Sequence, residues 1–163
     1  RIGKKIAKIA KSLGMKIHYH NRSKLSPDKE EGAMYHKDLK SLLSVSDVLS
    51  VCCPASKETI NLINKDTLEY LPKGAVVTNV ARGDIIDDEA LIDALNRRKV
   101  YAVGLDVYKG EPNLNSGYLK HKSAFILPHL GSATKETRTA MANLAVDNLE
   151  EFFNTGNCKN KVN

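Results

Sequence analysis

Apolar and polar residues follow two different periods along the chain, and each period predicts one type of secondary structure. Close to the start, apolar residues recur at spacings of three and four, which is typical of one face of a helix. These residues are Ile2, Ile6, Ile9 and Leu13. Gly14 is expected to end the helix, and residues 15–20 then alternate apolar and polar as a strand does. A helix followed by a strand is half of a βαβ unit.

Helical and strand patterns continue to alternate as far as residue 153. Residues 22–32 are polar and predict a loop, and Leu39, Leu42 and Leu43 indicate a short helix after it. Later helical patterns span residues 65–74, 87–99 and 135–153, and apolar strands lie within residues 47–54, 75–83, 101–107 and 123–131. Apolar strands separated by helices predict a parallel sheet covered on both faces, which is the doubly wound α/β class.

Composition and charge narrow the classes of function. With 163 residues, of which 42% are hydrophobic, the chain is long enough for one compact domain. No apolar run approaches the ~20 residues that cross a bilayer. The net charge of +6 comes from basic residues scattered among 19 acidic ones, which favours anionic small ligands over nucleic acid. We therefore expect no nucleic-acid partner and no membrane association.

The three cysteines indicate a reducing compartment rather than a metal site. Cys52 and Cys53 are adjacent on a predicted buried strand, so their side chains are expected to point to opposite faces of the sheet. Two thiols on opposite faces cannot bind one metal ion, and Cys158 lies far along the chain in a polar tail. We expect free thiols, a cytoplasmic location and no metal site.

Polar and ionisable residues collect at the ends of the predicted strands. They are Asn21, Arg22 and Ser23 after the first strand, then Pro54, residues 79–82, Asp106 and His129. Each of these alone is more often a turn or surface residue. Because parallel sheets bind ligands at the carboxyl ends of their strands, the set together predicts one ligand-binding crevice.

Three segments carry a resemblance to a known family. In chain order they are NVARGDIIDDEALIDAL (79–95), AVGLDVYKGEP (102–112) and ILPHLGSAT (126–134). They resemble the signature segments of the D-isomer-specific 2-hydroxyacid dehydrogenases, and most of all those of the glyoxylate/hydroxypyruvate reductase branch. The opening RIG resembles the end of that family's G-x-G-R-I-G fingerprint, with Gly3 as its third glycine.

The resemblance implies a domain organisation. Residues 1–154 are expected to form a Rossmann-type NAD(P)-binding domain that lacks its first strand, and residues 155–163 a C-terminal tail. The substrate domain is expected in a longer parent chain, which in this family is a homodimer. In the usual strand order the first strand is central, so we expect the chain alone to be inactive.

The resemblance also implies roles for individual residues. Arg82 is expected to bind the substrate carboxylate, because a planar guanidinium holds a carboxylate with two parallel hydrogen bonds. His129 is expected to donate the proton, and Glu111 to pair with His129. Asp106 lies beside the nicotinamide in the family. Cofactor contacts are implied for Arg1, Ile2, Gly3, Pro54, Val80, Ala81, Arg82, Asp106, His129 and Gly131.

The end of the first predicted strand indicates which cofactor is preferred. In this fold an acidic residue ~20 positions after the fingerprint accepts hydrogen bonds from the ribose 2′-hydroxyl of NAD. Asn21 stands 18 residues after Gly3, and Arg22, Ser23 and Lys24 follow it. A neutral residue followed by phosphate-binding side chains predicts NADPH as the preferred cofactor, with NADH as the alternative. The competing interpretation is that this segment only begins a turn.

These observations predict the NAD(P)H-dependent reduction of a small 2-oxo acid, such as glyoxylate or hydroxypyruvate, to the D-2-hydroxy acid. Two alternatives stay open. A dinucleotide-sensing corepressor can be built on the same fold. A basic nucleic-acid-binding domain predicts steeply salt-dependent binding to DNA or RNA.

Overall fold

The computed structural model describes residues 1–162. The chain divides into two compact units, of which the first is Arg1–Pro128 and the second begins at His129. Asn163, the last residue of the predicted tail, lies outside the described residues. Each unit is described separately below.

Helices and strands alternate through the first unit. In chain order they are α1 (Ile2–Ser12), β1 (His18–Tyr19), α2 (Pro27–Glu30), β2 (Met34–Tyr35), α3 (Leu39–Leu43), β3 (Val48–Val51), α4 (Lys65–Leu68), β4 (Ala75–Asn79), α5 (Asp88–Asn96), β5 (Val100–Leu105) and β6 (Ala124–Ile126). Two short 3-10 helices lie at Gly83–Ile85 and Tyr118–Lys120. The second unit contains α6 (Lys135–Thr155).

All strand pairs in the first unit are parallel, and they form two sheets. β1 pairs with β2, and the other sheet has the order β3-β4-β5-β6. In the larger sheet the last residues of the four strands lie side by side. They are Val51, Asn79, Leu105 and Ile126. The predicted doubly wound α/β class is confirmed. The loops that follow these four strands all leave the sheet at its carboxyl end.

Local sequence explains where α5 forms and how it packs. Asp87 caps the helix, because its carboxylate accepts a hydrogen bond from the backbone N–H of Ala90 at 3.2 Å. Asp88 and Glu89 occupy the first turn, where the helix dipole favours negative charge. The apolar face of the helix, including Leu91 and Leu95, is buried in the hydrophobic core. This element matches the expectation from its pattern.

The segment from residue 15 to residue 35 differs from the prediction. The first strand is limited to His18–Tyr19, and the predicted loop contains α2, with β2 directly after it. Elements of two to four residues are too short to produce a recognisable period. α6 extends to Thr155 and ends at Gly156, whose φ of +72° gives a left-handed helix cap.

The apolar faces of α1 and α6 are largely exposed. Leu13, directly after α1, is 77% exposed, and Phe153 on α6 is 80% exposed. Each helix is thus present as its pattern predicts, although its apolar face is not buried in a core. No helix in the described part of the chain is both long and apolar enough to cross a membrane.

Candidate cofactor and substrate site

A cavity of about 430 Å³ opens at the carboxyl ends of β3 and β4. Its lining consists of Ile2, Cys52, Cys53, Pro54, Ala55, Val80, Ala81 and Arg82. Five of these residues belong to the predicted cofactor site: Ile2, Pro54, Val80, Ala81 and Arg82. The structure brings together residues from the start of α1 and from the loops after two neighbouring strands, which is where a doubly wound sheet binds its ligand.

Three lining residues were missed by the sequence analysis, and two of them are cysteines. β3 ends at Val51, but the side chains still alternate as expected: Sγ of Cys52 lies 3.5 Å from Oγ of Ser50, whereas Cys53 packs against the hydrophobic core. Both residues nevertheless line the same cavity. Burial raises the pKa of the Cys53 thiol, which keeps it protonated at neutral pH. Their position between an apolar strand and Pro54 is the sequence signal that could have identified them.

α1 begins at the cavity, which is lined by Ile2 of its first turn. Arg1 caps the helix without a side-chain hydrogen bond, and the first turn contains no acidic residue. A Cβ at Gly3 would lie 3.5 Å from Cβ of Cys52, so the helix begins against the end of β3. Free N–H groups and the positive end of the helix dipole can bind a phosphate here.

A buried amide holds the turn that carries Arg82. Asn79, the last residue of β4, is only 1% exposed. Its Nδ2 donates a hydrogen bond to the carbonyl oxygen of Arg82 at 2.9 Å, and its Oδ1 accepts one from the N–H of Ala81 at 3.0 Å. The carbonyl oxygen of Asn79 also accepts a hydrogen bond from the N–H of Asp106 at 3.0 Å. Asn79 thereby connects the Arg82 turn to the end of β5.

Gly83 allows the Arg82 turn to pack directly against the segment that leads to Glu111. A Cβ at Gly83 would lie 2.1 Å from the carbonyl carbon and oxygen of Tyr108 and 2.4 Å from the backbone nitrogen of Lys109. The backbone N–H of Tyr108 donates a hydrogen bond to Oε1 of Glu111 at 3.2 Å. The spacing between the Arg82 and Glu111 segments therefore depends on the absence of a side chain at residue 83.

The chain after Glu111 is held by a buried hydrogen bond to α5. The hydroxyl of Tyr118 donates to Oδ1 of Asp88 at 2.9 Å, and both side chains are buried. Burial raises the pKa of Asp88, and burial together with the Asp88 charge raises the pKa of Tyr118. The loop between residues 108 and 117 is thus fixed at both ends.

The predicted ribose-binding residues lie on the surface directly after β1. Asn21, Arg22 and Ser23 are exposed. Glu58 lies in the turn that follows Pro54, and its pKa is lowered, first by a hydrogen bond from Ser56 and also by the positive charge of Arg22. Arg22 is therefore within electrostatic range of the loop that forms part of the cavity wall.

His129 and Gly131 belong to the second unit. His129 has a φ of +55°, in the left-handed region that a non-glycine residue seldom adopts. Such backbone outliers cluster at functional sites. The pairing of His129 with Glu111, and the cofactor contacts of both residues of this unit, stay predictions.

Comparison with protein families gives one match that covers most of the chain. The model of the family described as "D-isomer specific 2-hydroxyacid dehydrogenase, NAD binding domain" matches residues 1–131. The matched residues include α1, every strand of the first unit and the turn that carries Arg82.

Individual relatives agree with this match. Glycerate dehydrogenase from Hyphomicrobium methylovorum is 40% identical over 154 residues, which cover 93% of this chain and 48% of that protein. A glyoxylate reductase from Paecilomyes thermophila superimposes with a TM-score of 0.91 at 40% identity, over 99% of this chain and 49% of that one. An NADPH-dependent glyoxylate/hydroxypyruvate reductase from Sinorhizobium meliloti, in complex with NADP and malonate, gives a TM-score of 0.89 at 36% identity. The match covers 94% of this chain and 47% of that one. The chain spans about half the length of the curated relatives it matches.

Proposed function

The chain belongs to the D-isomer specific 2-hydroxyacid dehydrogenases by its NAD-binding domain, and from this premise we propose that it reduces small 2-oxo acids as part of a longer protein. The proposed substrates are glyoxylate or hydroxypyruvate, and the product is the D-2-hydroxy acid. Relatives named glyoxylate reductase and glycerate dehydrogenase support this class of substrate.

The observation that carries the proposal is the position of Arg82. It stands on the wall of the cavity at the carboxyl ends of β3 and β4, in a turn held by the buried amide of Asn79. A guanidinium stays charged at any working pH and can bind a carboxylate through two parallel hydrogen bonds. The same cation would polarise the adjacent 2-oxo group toward reduction.

The remaining steps are assigned to three other residues. A bound nicotinamide dinucleotide supplies the hydride. His129 donates the proton to the oxygen that becomes a hydroxyl, and Glu111 pairs with the imidazolium and orients its ring. Asp106, whose N–H donates a hydrogen bond to the carbonyl oxygen of Asn79 at the end of β4, is assigned to the nicotinamide end of the cofactor site.

The proposed cofactor is NADPH in preference to NADH. Asn21 offers no negative charge against a 2′-phosphate, and Arg22 and Ser23 offer a guanidinium and a hydroxyl to bind it. The NADPH-dependent relative from Sinorhizobium meliloti supports NADPH use in this family. The pyrophosphate is assigned to the first turn of α1, with Arg1, Ile2 and Gly3.

The proposed setting is a homodimer in the cytoplasm. Free thiols at Cys52, Cys53 and Cys158 are typical of a reducing compartment. The dimer is proposed from the family resemblance, and the molar mass of the full-length protein in solution tests it.

Substitution of Arg82 tests the substrate assignment in the full-length protein. Arg82→Lys should raise the KM for glyoxylate or hydroxypyruvate about tenfold or more, because an ammonium cannot form the two parallel bonds. Arg97→Lys is the matched control, since Arg97 pairs with Glu69 and Asp93 on the surface. An unchanged KM in Arg82→Lys would exclude the carboxylate-binding role. A wild-type protein that binds the dinucleotide and reduces no 2-oxo acid would favour the corepressor.

Substitution of Arg22 tests the cofactor assignment. The kcat/KM of the wild type should be higher with NADPH than with NADH, and Arg22→Ala should reduce that ratio. Lys29→Ala, which removes an exposed positive charge from α2, is the control and should leave the ratio unchanged. A wild-type preference for NADH would contradict the assignment.

A further inference from the structure

One phenolic oxygen ties together the segment between β1 and α2. Tyr19 is the last residue of β1, and its hydroxyl donates a hydrogen bond to Oε1 of Glu30 at 2.5 Å. The same oxygen accepts a hydrogen bond from the backbone N–H of Leu25 at 3.0 Å. The two bonds close the ends of the loop that carries Arg22 and Ser23.

The surroundings of this oxygen restrain it further. The side chain of Glu30 is only 15% exposed, and its Oε1 also lies 3.8 Å from Nζ of Lys24. The ring of Tyr19 packs against the ring of Tyr35 on β2, with 5.3 Å between the centroids. The pKa of Tyr19 is raised, first by burial and then by the hydrogen bond to Glu30, so the hydroxyl keeps its proton at neutral pH. The loop is therefore more ordered than its polar sequence suggests.

We propose that the Tyr19 hydroxyl is a positioning group for cofactor selection: it fixes the backbone around Arg22 and Ser23 so that their side chains meet a ribose 2′-phosphate. A loop that is already ordered loses less conformational entropy when the phosphate binds. In this proposal the phosphate is bound by Arg22 and Ser23, which offer a guanidinium and a hydroxyl. This inference rests on the proposed NADPH preference and adds to it a residue that does not touch the cofactor.

The test is Tyr19→Phe in the full-length protein, because this change removes only the hydroxyl. The ratio of kcat/KM with NADPH to kcat/KM with NADH should fall about three- to tenfold, as expected for the loss of one restraining hydrogen bond. The fall in this ratio should come mainly from a higher KM for NADPH. Direct binding gives a second readout: the affinity for 2′,5′-ADP should fall by a similar factor, and more than the affinity for 5′-ADP. If Tyr19→Phe does not fold, Glu30→Ala in a Lys24→Ala background, compared with Lys24→Ala alone, removes the same bond from its acceptor without releasing Lys24.

Tyr35→Phe is the matched control. It removes a hydroxyl from the ring that packs against Tyr19. It should leave the NADPH-to-NADH ratio of kcat/KM, and the affinity for 2′,5′-ADP relative to 5′-ADP, at their wild-type values. Equal losses for both cofactors in Tyr19→Phe, or no loss, would overturn the inference and leave Tyr19 with a structural role. A wild type that prefers NADH, combined with a selective loss of 2′,5′-ADP affinity in Tyr19→Phe, would instead overturn the proposed cofactor and retain the role of Tyr19.

Discussion

Replacing Gly83 with alanine tests how closely the Arg82 and Glu111 segments depend on each other. The added carbon would lie 2.1 Å from the carbonyl carbon and oxygen of Tyr108, whereas ordinary contacts of a Cβ lie at 3.4–4 Å. One of the two segments therefore has to move by about 1.3 Å. The atoms it meets belong to the backbone, so no rotation of a side chain can relieve the overlap.

We expect the variant to lose both stability and activity. Overpacking of this kind typically lowers the free energy of unfolding by about 1–3 kcal/mol. Misplacement of a substrate-binding group by ~1 Å can reduce catalysis about 100-fold. In the full-length protein, thermal unfolding measures the first effect, and kcat/KM for glyoxylate measures the second. Much of the fall in kcat/KM should come from a higher KM for glyoxylate, since Arg82 is the proposed carboxylate ligand.

Gly104→Ala on β5 is the matched control. A Cβ at Gly104 would lie 3.5 Å from Cγ2 of Thr78, which is an ordinary contact, so we expect little change in stability or kcat/KM. A Gly83→Ala protein with wild-type kcat/KM would refute the reasoning, because it would show that the two segments can separate without affecting the site. A loss of stability with unchanged activity would have the same meaning.

The isolated chain, the proton donor and a buried carboxylate each give one further prediction. Residues 1–163 alone should not reduce glyoxylate, because β1 and β3 belong to separate sheets; measurable turnover by the purified chain would contradict this. His129→Ala in the full-length protein should lower kcat about 10²- to 10⁴-fold and leave cofactor affinity nearly unchanged, whereas wild-type turnover would exclude the proton-donor role. Burial raises the pKa of the Asp88 carboxyl above its ordinary 3.8, so the folded protein binds the carboxyl proton more tightly than the unfolded chain does. The contribution of Asp88 to the free energy of unfolding therefore falls as the pH rises above about 3.8. Urea unfolding measured below and above about pH 3.8 should therefore show a smaller change in the free energy of unfolding for Asp88→Asn than for the wild type. The same change in both proteins would contradict the assignment.

Long, regular patterns were predicted well from the sequence. The helices α1, α5 and α6 and the four strands of the larger sheet lie where the apolar periods indicated. The location of Pro54 and Arg82 at one cavity was also predicted from the sequence, because the carboxyl ends of parallel strands lie on the same side of a sheet.

Features that depend on contacts across space were not predicted. The hydrogen bonds of Asn79 to its own turn, and the backbone packing on Gly83, involve atoms whose proximity no local period encodes. The strand containing Cys52 was expected to continue as far as Pro54, whereas β3 ends at Val51. β2 was missed because two residues are too few to form a pattern.

The division of the strands into two sheets also affects how the chain behaves in concentrated solution. Among the described residues, β1 pairs only with β2, and β3 pairs only with β4, so each has an edge of backbone N–H and C=O groups without a strand partner. Such an edge is a template for a strand from another molecule, and β3 (VLSV) is uncharged and rich in β-branched residues. Aggregation of the isolated chain should therefore start at this edge and become faster with concentration.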